Sequence, residues 1–91
     1  MRTKNKPAPT SAERRHIQRI AEMPCAVCDA PGPSEVHEPK QGVWRLAVPL
    51  CPICHRDPKN GWHGERLAWM LKRMDLLDAL AVTMKRLLEP T

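Results

Sequence analysis

The chain contains no phenylalanine and no tyrosine, and its only large aromatic residues are Trp44, Trp62 and Trp69. Its length of 91 residues leaves room for one domain. Small domains with few large apolar side chains bury a modest core, and many are stabilised by disulfides or a bound metal. We therefore expect a single domain held together by a metal ion.

Long apolar runs are also absent. No segment approaches the ~20 consecutive apolar residues that span a bilayer. No apolar stretch follows Met1, as it would in a secretion signal. These absences predict a protein without membrane contact in the reducing cytoplasm. In that compartment, paired cysteines bind zinc more often than they form disulfides.

Acidic residues are scarce in the first 20 positions, which carry six basic residues and only Glu13 as an acid. The difference of five equals the net charge of the whole chain, +5, so residues 21–91 are balanced. The six basic residues are Arg2, Lys4, Lys6, Arg14, Arg15 and Arg19. A basic segment on a neutral body predicts contacts with the phosphates of DNA. The alternative is a tail that only improves solubility.

The N-terminal residues divide into an arm and a helix. Residues 1–9 combine Lys, Asn and Pro with almost no apolar side chains, which predicts a disordered basic arm. A single domain is expected over residues 10–91. Thr10 and Glu13 have the spacing of a capping box, so the domain is predicted to begin with a helix over residues 11–22.

The remaining pattern predicts a small α+β domain. Extended segments at 34–37 and 43–50 favour a short antiparallel hairpin between two cysteine pairs. Two helices follow, the second capped by Asp75. The apolar positions expected to face the core in these helices are Leu67, Met70, Leu71 and Met74, and then Leu76, Leu77, Leu80, Met84, Leu87 and Leu88.

The cysteines form two C-x-x-C pairs, Cys25 with Cys28 and Cys51 with Cys54, which are separated by 22 residues. Two such pairs supply four thiolates for a tetrahedral zinc ion. The two-residue spacer lets backbone amides face the sulfurs and offset their charge. Because four protein ligands leave no open coordination position, the expected role of this zinc is structural.

Three histidines lie near the cysteine pairs in sequence. His37 falls in the first extended segment, His55 directly follows Cys54, and His63 comes after the loop RDPKNGW. If the hairpin folds back on the helix that follows the second cysteine pair, the three imidazoles meet. They can then hold one divalent cation and leave positions for a phosphate and water. His16, on the basic helix, is expected at the surface.

The order of these motifs resembles the HNH, or ββα-metal, nucleases. The segments SEVHEP, VPLCPICH, NGWHGE and MDLLDALAVTMKRLL are most similar to the phage recombination-enhancement nucleases, the Ref-type group that depends on RecA. The resemblance covers residues 25–88. It implies a ββα-metal core and a DNA endonuclease that hydrolyses phosphodiester bonds. It also implies a phage or prophage protein that works in the bacterial cytoplasm with a recombinase filament such as RecA.

The resemblance also implies roles for individual residues. His37, His55 and His63 would bind the catalytic metal, Mg²⁺ or Zn²⁺. The family has a second histidine, the general base, directly after the first; here that position is Glu38. Either Glu38 or another base would activate the water, and the alternative role for Glu38 is to bind the metal. Basic side chains expected to neutralise phosphates around the site are Lys40, Arg45, Arg56 and Lys59.

Two other functions remain open from the sequence. A glutamate beside a cation is a weaker base than histidine, and the segment PKQG between the strands is shorter than in the family. Both departures favour a zinc-stabilised DNA-binding or recombination accessory protein without catalysis. The third possibility is a zinc-stabilised interaction domain whose C-terminal Leu/Met helix docks on a partner.

Overall fold

A computed structural model describes residues 8–89 of the chain. The predicted disordered arm spans residues 1–9, of which residues 1–7, with the candidate DNA ligands Arg2, Lys4 and Lys6, lie outside the described residues. Residues 8–89 form four α-helices and one two-stranded antiparallel sheet, which confirms the expected α+β class and the hairpin between the cysteine pairs.

The first helix, α1, spans Ser11–Ala21 and begins with the predicted capping box. The Thr10 side chain accepts a hydrogen bond from the Glu13 backbone N–H, and the Glu13 side chain accepts one from the Thr10 backbone N–H. Two of the helix's unpaired amides are satisfied in this way. Ile20 is the fully buried residue of α1 and anchors it to the domain.

The hairpin is short. Strand β1 spans Glu35–His37 and pairs antiparallel with β2, Val48–Leu50, with Val36 opposite Pro49. The predicted strand over residues 43–50 is wrong in its first half, because Trp44–Leu46 form a 3₁₀ turn. With only three residues in β1, residues 44–46 have no strand to pair with and satisfy their backbone groups locally.

Helix α2, Pro52–Arg56, follows β2 directly. The Cys51 sulfur caps it by accepting the Cys54 backbone N–H, and Pro52 occupies the first turn, where no backbone donor is needed. A tight loop then leads to α3, Leu67–Leu71. The hairpin and α2 together form a β–β–α unit that carries the candidate ligands His37, Cys54 and His55.

Helix α4, Leu76–Leu88, begins with a reciprocal cap between Asp75 and Asp78, as predicted for Asp75. The predicted core stripes of α3 and α4 are partly wrong. Among residues 8–89, seven large apolar side chains are exposed, six of them in these helices: Leu67, Met70, Leu71, Leu77, Met84 and Leu88. Trp69 is buried instead in α3, and Ala79 and Thr83 are buried in α4.

The core lies between the hairpin, the first cysteine pair, α2 and one face of α4. Its buried members are Cys25, Ala26, Val27, Val48, Leu50, Cys51, Cys54, Trp69 and Ala79. Trp69 also donates its indole N–H to the Cys54 carbonyl at 2.8 Å, which joins α3 to α2. Among residues 8–89, no helix has the length and apolarity needed to cross a membrane.

Candidate metal centres

The four cysteines form a compact cluster. Their sulfur atoms all lie within 4.8 Å of one another, and Cys28 Sγ is 3.6 Å from Cys51 Sγ. A tetrahedral zinc ion with Zn–S bonds of about 2.3 Å requires S···S distances of about 3.8 Å. The cluster therefore has the dimensions of a four-thiolate zinc site. No disulfide links these cysteines.

Electrostatics favours a cation at this cluster. The Val27 and Cys54 backbone amides donate to the sulfurs of Cys25 and Cys51 at 3.4 Å, as the two-residue spacer predicts. Burial and the neighbouring cysteines nevertheless raise the pKa of Cys54 well above its ordinary value. Four thiols packed together do not all ionise without a compensating charge, and a divalent ion supplies it.

The three histidines form a second cluster beside the hairpin. Their ring centroids are 4.9–5.2 Å apart, and one nitrogen of each lies within 4.8 Å of the others. His37 Nδ1 is 3.3 Å from His55 Nε2. Metal–nitrogen bonds of about 2.0–2.1 Å in a tetrahedral site require N···N distances of about 3.3–3.4 Å. The structure thus brings together His37, His55 and His63, which are far apart in sequence.

Each imidazole reaches the cluster from a different element. His37 ends β1, and His55 lies in α2. His63 lies in the loop after α2, which folds back on that helix through two backbone hydrogen bonds. Trp62 N–H donates to the Cys54 carbonyl, and His63 N–H donates to the His55 carbonyl at 3.1 Å. Helix α2, which carries Cys54 and His55, therefore also positions the exposed His63 ring.

Two features shape this loop. The Asp57 carboxylate accepts hydrogen bonds from the backbone amides of Lys59 and Asn60, which closes the first turn. A Cβ at Gly61 would lie 2.7 Å from the Asp57 backbone nitrogen, and a Cβ at Gly64 would overlap the Pro58 carbonyl oxygen. Close backbone approach is the reason for glycine at both positions.

Glu35 holds His55 in place. Its Oε1 accepts a hydrogen bond from His55 Nδ1 at 2.8 Å, which leaves His55 Nε2 facing His37. Arg56 donates to both carboxylate oxygens of Glu35. Hydrogen bonds from Arg56 first, and then from His55, lower the pKa of Glu35 to about 2. A carboxylate bonded to the outer nitrogen of a ligating histidine fixes its tautomer and ring orientation.

His37 is the buried member of the cluster. Burial lowers its pKa to about 4, with smaller contributions from His55 and His63. At neutral pH its ring is therefore uncharged, the form in which imidazole binds a metal. Its Nε2 atom is buried without a hydrogen-bond partner within the described chain. The nitrogen of His37 that faces His55 is the other one, Nδ1.

A cleft of about 300 Å³ opens beside the histidines and is lined by Val36, His37, Glu38, Gln41 and His63. The neighbouring residue of His37, Glu38, therefore faces the same space. Its Oε1 accepts a hydrogen bond from the Gly42 backbone N–H at 2.9 Å, which closes the start of the hairpin connection. Glu38 thus has a structural contact besides its position beside the cluster.

The predicted phosphate ligands are scattered around the domain. Among the described ones, Arg15 and Arg19 are exposed on α1, Lys40, Arg45 and Lys59 are exposed in connecting segments, and Arg14 donates to the Pro9 carbonyl. Arg56 is exposed but bound to Glu35. The residues that line the cleft include no lysine and no arginine.

Comparison of the chain with protein-family models, with curated proteins and with solved structures finds no match.

Two residues near the site were not singled out from the sequence. Glu35 is two positions before His37 on the same strand, so both side chains point to the same face. That period-two relationship is the signal that identifies it. Gln41 lines the cleft from the hairpin connection, whose path no local pattern in the sequence predicts. His16, expected at the surface, is half-buried, and its Nε2 is enclosed.

Proposed function

We propose that the protein is a metal-dependent DNA endonuclease of the HNH type. The observation that carries this proposal is the convergence of three imidazoles beside an open cleft, on a β–β–α unit anchored by a four-cysteine cluster. A three-histidine site leaves coordination positions for substrate, whereas the four-cysteine site leaves none. This difference in open coordination positions predicts a structural metal at the cysteines and a catalytic metal at the histidines.

The catalytic residues follow from this arrangement. His37, His55 and His63 would hold a divalent ion, Mg²⁺ or Zn²⁺, and the chemistry it would supply there is charge stabilisation at the scissile phosphate and the leaving 3′ oxygen. Glu38, in the wall of the cleft, accepts the proton of the attacking water at its carboxylate. Glu35 keeps the His55 ring oriented through the hydrogen bond to Nδ1.

Binding of DNA belongs to the same proposal. Arg15 and Arg19 are exposed four positions apart on α1, so they lie on one side of that helix. Arg45 lies on the 3₁₀ turn, which packs against α1. These guanidinium groups contact phosphates independently of base sequence, and the affinity they supply falls steeply with salt. The resemblance to Ref-type nucleases extends the proposal to a phage recombination enzyme that acts with a RecA filament.

A non-catalytic DNA-binding accessory protein is the second candidate. The observation that favours it is the Glu38–Gly42 hydrogen bond, because it orients the carboxylate towards the backbone of the hairpin connection and gives Glu38 a structural role that needs no catalysis. The two candidates agree on the zinc and on DNA. They differ in whether the histidine cluster cleaves a phosphodiester bond.

Plasmid cleavage separates the two. We expect zinc-loaded protein with added Mg²⁺ or Zn²⁺ to nick supercoiled plasmid, with and without RecA filaments. His63→Ala should abolish cleavage, because it removes one of the three imidazoles proposed to hold the metal. Since His63 is exposed, its loss should leave the core intact. His16→Ala, at the histidine of α1 outside the cluster, is the control, and circular dichroism verifies that both variants fold. Salt-sensitive DNA binding without cleavage in either divalent ion selects the accessory protein instead.

A further inference from the structure

An exposed apolar stripe runs the length of α4 on the side away from the core. It consists of Leu77, Ala81, Met84 and Leu88, with spacings of four, three and four residues. The Leu77 and Leu88 residues are 73% and 74% exposed. This spacing is the one that keeps a helical seam in contact with a second helix.

The opposite side of α4 is committed to the domain. Ala79 and Thr83 are buried there, and Thr83 donates its hydroxyl back to the Ala79 carbonyl. Arg86, on the same side, donates to the Pro24 carbonyl and to the Asp29 carboxylate. These contacts fix the rotation of α4, so the apolar stripe cannot turn inward. A helix that is apolar on both sides is normally covered on both.

The charges beside the stripe indicate what covers it. Asp78 and Lys85 each follow a stripe residue by one position, so both flank the stripe on the same edge, and both are exposed. The other edge carries the half-buried Leu80 and Leu87. The charged edge therefore has an acidic group near the helix start and a basic group seven residues later. When two copies of this edge lie antiparallel, the acidic group of each faces the basic group of the other.

We propose that two copies of this chain associate through α4, with the helices antiparallel across the Leu77–Ala81–Met84–Leu88 stripe. In this arrangement Leu77 faces Leu88 of the second copy, and the small Ala81 faces Met84. Each Asp78 lies beside Lys85 of the other copy. A parallel arrangement would instead set the charged edge against Leu80 and Leu87, which removes the ion pairs.

The proposal is independent of catalysis and is tested by the oligomeric state of the full zinc-loaded chain. We expect sedimentation equilibrium, from low micromolar to near-millimolar protein, to fit a monomer–dimer equilibrium. Leu77→Glu should raise the dimer dissociation constant about tenfold or more, because it places a charge opposite an apolar side chain. Ile53→Glu is the matched control, since Ile53 is an exposed apolar residue on α2. Circular dichroism verifies that each variant folds.

Charge reversal tests the orientation. Lys85→Glu should weaken the dimer by placing two acidic groups together. Asp78 also caps α4 by accepting the Asp75 backbone N–H, so Asp78→Lys alone is the reference for the lost cap. The double variant Asp78→Lys with Lys85→Glu should form a stronger dimer than either single variant. A chain that stays monomeric at every concentration overturns the proposal. So does a dimer that tolerates Leu77→Glu. A double variant that folds but dimerises no more tightly than Asp78→Lys rules out the antiparallel pairing.

Discussion

The Glu35 carboxylate accepts a hydrogen bond from His55 Nδ1 at 2.8 Å, on the side of the ring opposite His37. Arg56 donates two hydrogen bonds to the same carboxylate. A different rotamer of Glu35 would therefore lose the hydrogen bonds to both His55 and Arg56. The strand residue Glu35 thereby decides which nitrogen of a helix residue faces the histidine cluster. Loss of a hydrogen-bond partner of a metal-binding histidine typically weakens metal binding by about 10- to 100-fold.

Glu35→Gln is therefore expected to weaken metal binding at the histidine cluster by about 10- to 100-fold. The amide still reaches His55 but no longer carries the charge that favours the required tautomer. Titration of zinc-loaded protein with Co²⁺, followed by its absorption spectrum, measures the affinity. Glu22→Gln, at the end of α1, is the control. Equal affinities for the wild type and Glu35→Gln would contradict the role assigned to Glu35.

Chelation should empty the two clusters in separate steps. The exposed three-nitrogen site, open to solvent at His63, releases its metal first, without loss of helical signal. The cysteine site releases its metal second, and the domain then unfolds. Structural zinc contributes about 10–16 kcal/mol of apparent binding free energy, which is as large as the ~5–15 kcal/mol stability of a whole domain.

Chelator titrations followed in parallel by circular dichroism and by metal analysis measure both steps. His63→Ala is the matched control, because it should remove the first step and leave the second unchanged. A single step in which all metal and all helical signal disappear together would contradict the separation. A protein that keeps its fold after complete loss of metal would show that the cysteine cluster is not the main stabilising feature.

The clustering of the candidate metal ligands is the part of the site that the sequence predicts best. Their residue types are chemically specific, and the C-x-x-C spacing places Cys51 and Cys54 on one helix turn. The convergence of His37 and His63 on His55 follows once the hairpin packs on α2. Glu35 is harder to find, because a glutamate in a strand is common and only its neighbour in space gives it a role.

The helix faces are the part that the sequence predicts least. In α4, apolar side chains occur on all sides, so the pattern alone cannot separate Leu77 from Leu80. The deciding contacts are long-range ones, such as the bond from Arg86 to the Pro24 carbonyl. Likewise, Trp44–Leu46 look β-prone by composition, but the shortness of β1 leaves them no strand to join.

Glu38→Gln distinguishes a chemical role of Glu38 from a structural one. The glutamine oxygen still accepts the Gly42 backbone N–H, so the hairpin connection is kept, but the side chain no longer accepts a proton. We expect plasmid cleavage to fall about 10²- to 10⁴-fold, the usual contribution of a general base. Metal affinity should stay unchanged. A variant that cleaves at the wild-type rate would assign proton transfer to another group.

Gly61→Ala tests whether the loop aims His63. An alanine Cβ would lie 2.7 Å from the Asp57 backbone nitrogen and 2.8 Å from that of Arg56, so the backbone of the loop must shift. The shift displaces His63, which lies in this loop and whose backbone N–H donates to the His55 carbonyl. We expect weaker Co²⁺ binding at the histidine cluster while the cysteine site keeps its metal. Lys59→Ala, an exposed side chain in the same loop, should bind Co²⁺ as the wild type does. If Gly61→Ala bound Co²⁺ with the wild-type affinity, the observed loop conformation would not be needed to place His63 at the metal.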